Sequence, residues 1–205
     1  MVLEAKNISF RYGKDAKQIL DHFNLQVESH ERVGILAPSG FGKTTFCKIL
    51  AGYEQPDEGG VYLDGRFLSS YRGYCPVQMI WQHPEQAVNP RLRMREVLAE
   101  GDEVEESIIK GLGIEEDWRN RYPAELSGGE MQRFCIARAF GKRTRFILAD
   151  EISTMLDLIT QSQIWNFIME EVQNREIGLL AVSHNTQLLE RVCTRICNLD
   201  SGTIP

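Results

Sequence analysis

The sequence predicts an α/β fold built on a parallel sheet, and three observations carry that prediction. Apolar runs at residues 146–149 and 179–182 read as strands covered on both faces. Between them Leu158, Trp165, Ile168, Met169 and Val172 recur at helical spacing, which makes a strand–helix–strand unit. A third apolar run, residues 32–37, leads through a glycine-rich turn into residues 42–50, which read as a helix. At 205 residues, with 42% apolar and 25% charged side chains, the chain suits one globular unit that buries roughly two-thirds of its unfolded surface.

The remaining elements follow in order. Residues 2–10 alternate between apolar and polar, and residues 19–27 alternate again around Leu20, Phe23, Leu25 and Val27, so both are expected strands. Residues 61–63 and 74–81 read as further strands. The segment Glu54-Gln55-Pro56-Asp57-Glu58-Gly59-Gly60 and the pair Asp64-Gly65 read as turns around the first of them. Residues 94–141 carry a mostly helical signal. The acidic cluster Asp102, Glu103, Glu105 and Glu106 reads as a solvated helix start near the positive end of the dipole.

Composition removes several function classes. A net charge of −6 disfavours a chain-wide footprint for nucleic acid, so no nucleic-acid partner is expected. The five cysteines, Cys47, Cys75, Cys135, Cys193 and Cys197, are odd in number and form no CxxC pair, which points to buried free thiols rather than a disulfide framework or zinc site. Cys193 and Cys197 stand four apart and would share a helix face, where packing is the simpler role. The first ten residues lack the pattern of a signal peptide, and no apolar run approaches the roughly 20 residues of a membrane span. A soluble, cytoplasmic chain is expected.

Two motifs point to nucleotide chemistry. Ala37-Pro38-Ser39-Gly40-Phe41-Gly42-Lys43-Thr44-Thr45 lies between a strand and a helix, where a phosphate-cradling loop belongs. Gly40 and Gly42 let successive N–H groups turn inward. Lys43 reaches β- and γ-phosphates, and the Thr44 hydroxyl can complete a Mg²⁺ shell. Ala37 replaces the glycine of the strict pattern, and alanine is costly wherever the backbone needs a positive φ. The second motif is the strand 146–149 ending in Asp150-Glu151. One such carboxylate can hold Mg²⁺ through water while the next polarises an attacking water, a general-base role worth about 10²–10⁴-fold. Asp150 is assigned to metal and Glu151 to water; capping the following helix is the alternative use of such an acid.

A third motif names a family. Leu126-Ser127-Gly128-Gly129-Glu130-Met131-Gln132-Arg133, about eighty residues beyond the phosphate loop and just before the Asp150-Glu151 strand, resembles the signature of ATP-binding-cassette (ABC) ATPases. Ser127 and the N–H groups of Gly128 and Gly129 open a helix there, a ready-made place for anionic phosphate. The resemblance implies head-to-tail pairing with a second ABC ATPase subunit, identical or different, so that this segment closes over ATP held by the partner's loop.

It also implies roles for other residues. Tyr12 matches the aromatic that stacks on adenine, a contact of about 1–3 kcal/mol where bases stack on proteins. Gln82 matches the glutamine that touches metal and attacking water, and His184 the histidine that senses the γ-phosphate. Asp157 matches the end of the loop that crosses the pair. ATP and Mg²⁺ are the implied cofactors; His22, His30 and His83 are left at the surface. One departure stands out: Pro-Thr-Ser-Ala-Leu-Asp becomes Ile152-Ser153-Thr154-Met155-Leu156-Asp157, with bulky Met155 facing the partner.

The implied architecture is an α/β ABC ATPase fold: a P-loop NTPase core sheet with a small antiparallel β subdomain and an α-helical subdomain. A single nucleotide-binding domain spans 1–205, with a core lobe at 1–82 and 144–205 and a helical lobe at 83–143. The length leaves no room for inserted coiled coils, zinc modules or a second cassette. That points to the transporter branch, in which the ATPase docks under integral membrane permease subunits on the inner face of the cell membrane. Gln82-His83-Pro84-Glu85-Gln86-Ala87-Val88-Asn89-Pro90-Arg91 and Tyr122-Pro123-Ala124-Glu125 resemble the dipeptide, oligopeptide and nickel importers. Those importers imply an extracytoplasmic solute-binding protein and cargo such as a peptide, nickel or a metal chelate. Cobalt and vitamin energy-coupling-factor importers, and a soluble or regulatory non-transport cassette, are the alternatives.

Overall fold

A computed structural model describes residues 1–13, 15–38, 40–152 and 156–198 of the chain. In chain order the strands are β1 (Val2–Phe10), β2 (Leu20–Glu28), β3 (Arg32–Leu36), β4 (Glu58–Leu63), β5 (Arg66–Phe67), β6 (Val77–Ile80), β7 (Phe146–Asp150), β8 (Gly178–Val182) and β9 (Arg195–Asn198). The helices are α1 (Lys43–Leu50), α2 (Met94–Ala99), α3 (Glu106–Gly111), α4 (Gly128–Ala139), α5 (Leu158–Asn174) and α6 (Thr186–Val192). Short 3₁₀ turns at Pro84–Gln86, Glu116–Asn120 and Pro123–Glu125 link the helices of the middle segment.

Five strands form a parallel sheet in the order β6-β7-β8-β3-β9, and four form an antiparallel sheet in the order β2-β1-β4-β5. The parallel sheet explains its own sequence. Every residue of β7 and β8 is buried. Phe146 and Leu148 join a core with α1 and the antiparallel sheet, whereas Ile147 and Ala149 join the core made with α2, α4 and α5. A strand covered on both sides must be apolar at every position, so a continuous run replaces alternation.

The antiparallel sheet keeps the two-residue alternation, interrupted at two bulges. Register shifts along β1 and β2 coincide with Asn7 at φ 56° and His22 at φ 49°, both in the left-handed region. Each inserts an unpaired residue, and the bulges bend the sheet edge.

Several expectations need correction. β6 is shorter than residues 74–81, because residues 71–76 turn into it. β4 begins at Glu58, inside the segment read as a turn; Gly59 at φ 82° lies so close to the bulge that a Cβ there would meet the Asn7 carbonyl oxygen at 2.2 Å. Leu158 keeps its helical spacing but is 83% exposed, since α5 packs on the sheet only from Ile164 onward. Cys193 ends α6 and Cys197 lies in β9, so they share no helix face, and all five thiols are free. Asp102 precedes α3 by four residues and is not merely solvated: its carboxylate accepts from the Arg143 main chain at 2.7 Å and from Arg143 Nε at 3.0 Å. His83 is half-buried, beside Glu85. Among the described residues, no helix is long and apolar enough to cross a membrane.

Candidate functional site

The parallel strands β3, β6, β7 and β8 all end toward one cleft, and in open parallel sheets ligands enter at the carboxyl edge. β3 delivers the phosphate loop. Gly40 has φ 82° and Gly42 φ 80°, a conformation that L side chains rarely adopt. At Gly42 the space is closed too, because a Cβ would stand 2.4 Å from Ile19 Cγ2. Ser39, expected to touch phosphate, lies outside the described residues. Ala37 is buried without a positive φ, so its departure from the strict pattern carries no backbone cost.

Three side chains of the loop are engaged within the chain. Lys43, only 7% exposed, donates from Nζ to the carbonyls of Ala37 at 2.7 Å and Pro38 at 3.0 Å. Thr44 Oγ1 donates to Asp150 Oδ2 at 2.6 Å. Thr45 Oγ1 pairs with the Tyr12 hydroxyl at 3.1 Å, and the Tyr12 ring packs edge-on against Phe10 at the mouth of the cleft.

β7 delivers the two carboxylates. Asp150 ends the strand and does not cap α5; that cap is Asp157, which accepts from the N–H groups of Ile159 and Thr160 at 3.0 Å. Burial raises the Asp150 carboxyl above its ordinary value, with the Glu151 charge adding to the rise and the Thr44 hydrogen bond, Lys43 and Lys48 opposing it. Its Oδ1 is buried with no hydrogen-bond partner among the described residues, an oxygen that can accept from a ligand or hold a cation. The Thr44 hydroxyl and the Asp150 carboxylate bonded to it, with Gln82 lining the same cleft as Thr44, offer oxygens of the kind a hard divalent cation such as Mg²⁺ takes.

Glu151 sits at φ 47°, in the left-handed region, with its N–H held by the Val182 carbonyl at 3.0 Å. Such a backbone costs a non-glycine residue about 1–2 kcal/mol. It turns the carboxylate toward Lys43 Nζ at 3.7 Å and His184 Nδ1 at 3.3 Å. His184 follows β8 and is exposed, and Ser183 donates its N–H to the Ile35 carbonyl at 3.4 Å. Gln82 follows β6 and lines the same cleft as Lys43, Thr44 and Glu151.

A second, separate cleft holds the other expected residues. Ser127 caps α4: its Oγ accepts from the Glu130 N–H at 3.3 Å, and Glu130 accepts in return from the Ser127 N–H at 2.6 Å. This reciprocal box follows directly from Ser-x-x-Glu, a signal the sequence reading passed over. Ser127, Gly129, Leu156 and Asp157 line that cleft, which shares no described residue with the one around Lys43. Among the described residues a Cβ at Gly128 would meet nothing within 4 Å, and the residue lacks a positive φ, so neither its backbone nor its described neighbours call for glycine there.

Sequence reasoning also missed the strained backbone of Glu151, the Tyr12–Thr45 pair and the buried Gln132, whose Nε2 donates to the Trp81 carbonyl at 3.4 Å. Nothing local marks these; each depends on a partner distant in the chain.

A phosphate loop and a strand-end acid pair at the carboxyl edge of a parallel sheet define a nucleoside-triphosphatase of the P-loop class. Residues 20–154 match the family described as ABC transporter, and the chain belongs to that family, as one of its ATPases. The nickel import ATP-binding protein NikE of Rhodospirillum rubrum is 32% identical over 219 residues, covering 97% of this chain and 78% of that protein. The oligopeptide transport ATP-binding protein OppF of Streptococcus mutans is 28% identical, covering 99% and 73%. A dimeric, post-hydrolysis structure of the ATP-binding cassette MJ0796 bound to ADP and Pi superposes with a TM-score of 0.80 at 26% identity, covering 96% of this chain and 93% of that one.

Proposed function

We propose that this ATPase energises import of a small solute, with nickel, a metal chelate or a peptide as cargo, and works as half of a head-to-tail pair of cassettes. The pair docks on integral membrane permeases at the cytoplasmic face, served by an extracytoplasmic solute-binding protein. The names of the relatives NikE and OppF support the cargo class. The division of expected nucleotide contacts between two clefts, and the open space at Gly128, support pairing: a phosphate group from outside the chain can approach α4 at its N-terminus. Residues 1–82 and 144–205 form the lobe that holds nucleotide, and residues 83–143 the helical lobe that carries Ser127 to the partner.

Within the cleft, Tyr12 stacks on adenine, and the N–H groups around Gly40 and Gly42, with Ser39, cradle the phosphates. Lys43 exchanges its two carbonyl partners for β- and γ-phosphate oxygens, and Thr45 exchanges Tyr12 for phosphate. Mg²⁺, held by the Thr44 hydroxyl and by Asp150 and Gln82, supplies charge neutralisation on the phosphates. Glu151 accepts the proton of the attacking water, and His184 donates toward the γ-phosphate while its contact with Glu151 orients that carboxylate. From the partner, Ser127, Gly128 and Gly129 close the far side, with Asp157 at the junction.

The carrying observation is the placement of one carboxylate, Glu151, between Lys43 Nζ and His184 Nδ1 on a backbone strained to aim it there. In Glu151→Gln, turnover should fall by about 10²-fold or more while ATP binding persists and nucleotide-bound pairs accumulate. Wild-type turnover in that variant, measured with the partner subunit present, would sink the assignment.

A further inference from the structure

The residues after Gln82 are held from one side by a row of donors on α4. The chain leaves Gln82 through the 3₁₀ turn Pro84–Gln86, and the carbonyls of Trp81, Pro84 and Ala87 stand three residues apart across it. On α4, Gln132, Cys135 and Arg138 are also three apart and share a helix face. The two rows meet rung by rung. Gln132 Nε2 donates to the Trp81 carbonyl at 3.4 Å, Cys135 Sγ to the Pro84 carbonyl at 3.8 Å, and Arg138 Nη2 to the Ala87 carbonyl at 2.6 Å. Gln132 is 3% exposed and Cys135 4%, so water cannot replace the inner rungs. The Trp81 carbonyl belongs to the peptide bond that leads into Gln82, while the same helix opens at Ser127.

We infer that Gln132, with Cys135 and Arg138 behind it, is a positioning residue for Gln82: the donor row ties the helix bearing Ser127 to the peptide that places the glutamine in the catalytic cleft. Displacement of α4 by a partner is thereby passed to Gln82 through the hydrogen bonds, not only through apolar contact. This rests on the reading of Gln82 as a contact of metal and water. Neither 81–87 nor 132–138 shows the link by itself, because the match of two three-residue spacings appears only when the segments lie side by side.

The test is steady-state ATPase activity of the full chain with its partner subunits. Gln132→Met removes the donor at nearly constant shape. It should lower kcat about fivefold, the rate equivalent of one ordinary hydrogen bond, with KM for ATP changed less than about twofold. The Mg²⁺ concentration for half-maximal rate should rise. In a Gln82→Ala background the same substitution should have no further effect on kcat, since its action runs through Gln82. A full additional loss in that background overturns the inference, as does an unchanged kcat accompanied only by a lower Tm, the mark of a packing role. If Gln82→Ala alone leaves kcat at the wild-type value, the reading of Gln82 fails first and the positioning role falls with it. Should Gln132→Met not fold, Arg138→Met reports the outer rung, with the same dependence on Gln82 expected and the same additive outcome decisive.

Discussion

Gly42 and Glu151 both hold left-handed backbone at the cleft, for different reasons. Glycine at 42 is required by conformation and by Ile19, whose Cγ2 would lie 2.4 Å from any Cβ. Gly42→Ala should therefore weaken ATP binding by at least about tenfold in an equilibrium titration, because the first turn of α1 must shift to relieve the clash. Unchanged affinity would mean that the loop rebuilds around the methyl group. Glu151 is held in the same region by the Val182 carbonyl, which fixes its N–H, and by the Lys43 ammonium and the His184 ring beside its carboxylate. At this scale the sequence was legible for chemical type: lysine, threonine and paired acids in a strand–turn–helix frame announce phosphate and metal. It was silent on aim, since the direction of the Glu151 side chain follows from a φ angle set by β8.

Among elements, the joint between α4 and β7 shows how a helix is fastened to a sheet. Arg143 lies in the connection and is held by Asp102, and the Tyr74 hydroxyl meets Thr144 Oγ1 at 2.6 Å, so residues 141–145 are clipped from two directions. The Arg143 side chain, bonded to the Asp102 carboxylate, holds that carboxyl below its ordinary value. A depressed carboxyl contributes stability that is present above its unfolded-state pKa and is lost as pH falls through the folded-state value. Asp102→Asn should lower Tm at pH 7, and the gap to wild type should narrow progressively below about pH 4, as pH falls from the unfolded-state value through the lower folded-state one. A constant gap from pH 7 to pH 3 would contradict this. The acidic cluster was readable as charge near a helix, yet its role was not, because Arg143 stands 41 positions away. Ser127 and Glu130 are the opposite case: a capping box four residues long is written in the sequence and folds as written.

For the whole molecule, the decisive feature is that the clefts around Lys43 and Ser127 share no described residue, which on the proposed pairing makes each of them half of a nucleotide site. ATPase activity per chain should accordingly rise with the concentration of the partner subunit and collapse on dilution, whereas ATP binding to the Lys43 cleft should persist in the isolated chain. Activity per chain independent of concentration, down to the lowest measurable, would argue that one chain completes its own site.

The sequence by itself determined the fold class, the phosphate loop, the acid pair and the family, because each is encoded within a short stretch where residue type and local backbone need agree over only a few positions. Residues 146–149 are apolar because both faces of β7 are covered, and that requirement shows at every position of the strand. Only the tertiary structure decided which side chains face each other: that Asp150 Oδ1 is left without a donor among the described residues, that Glu151 points between Lys43 and His184, and that Gln132 reaches the peptide before Gln82. These contacts span from 33 to 108 residues along the chain. Their geometry is set by sheet order and helix docking, which no local pattern records.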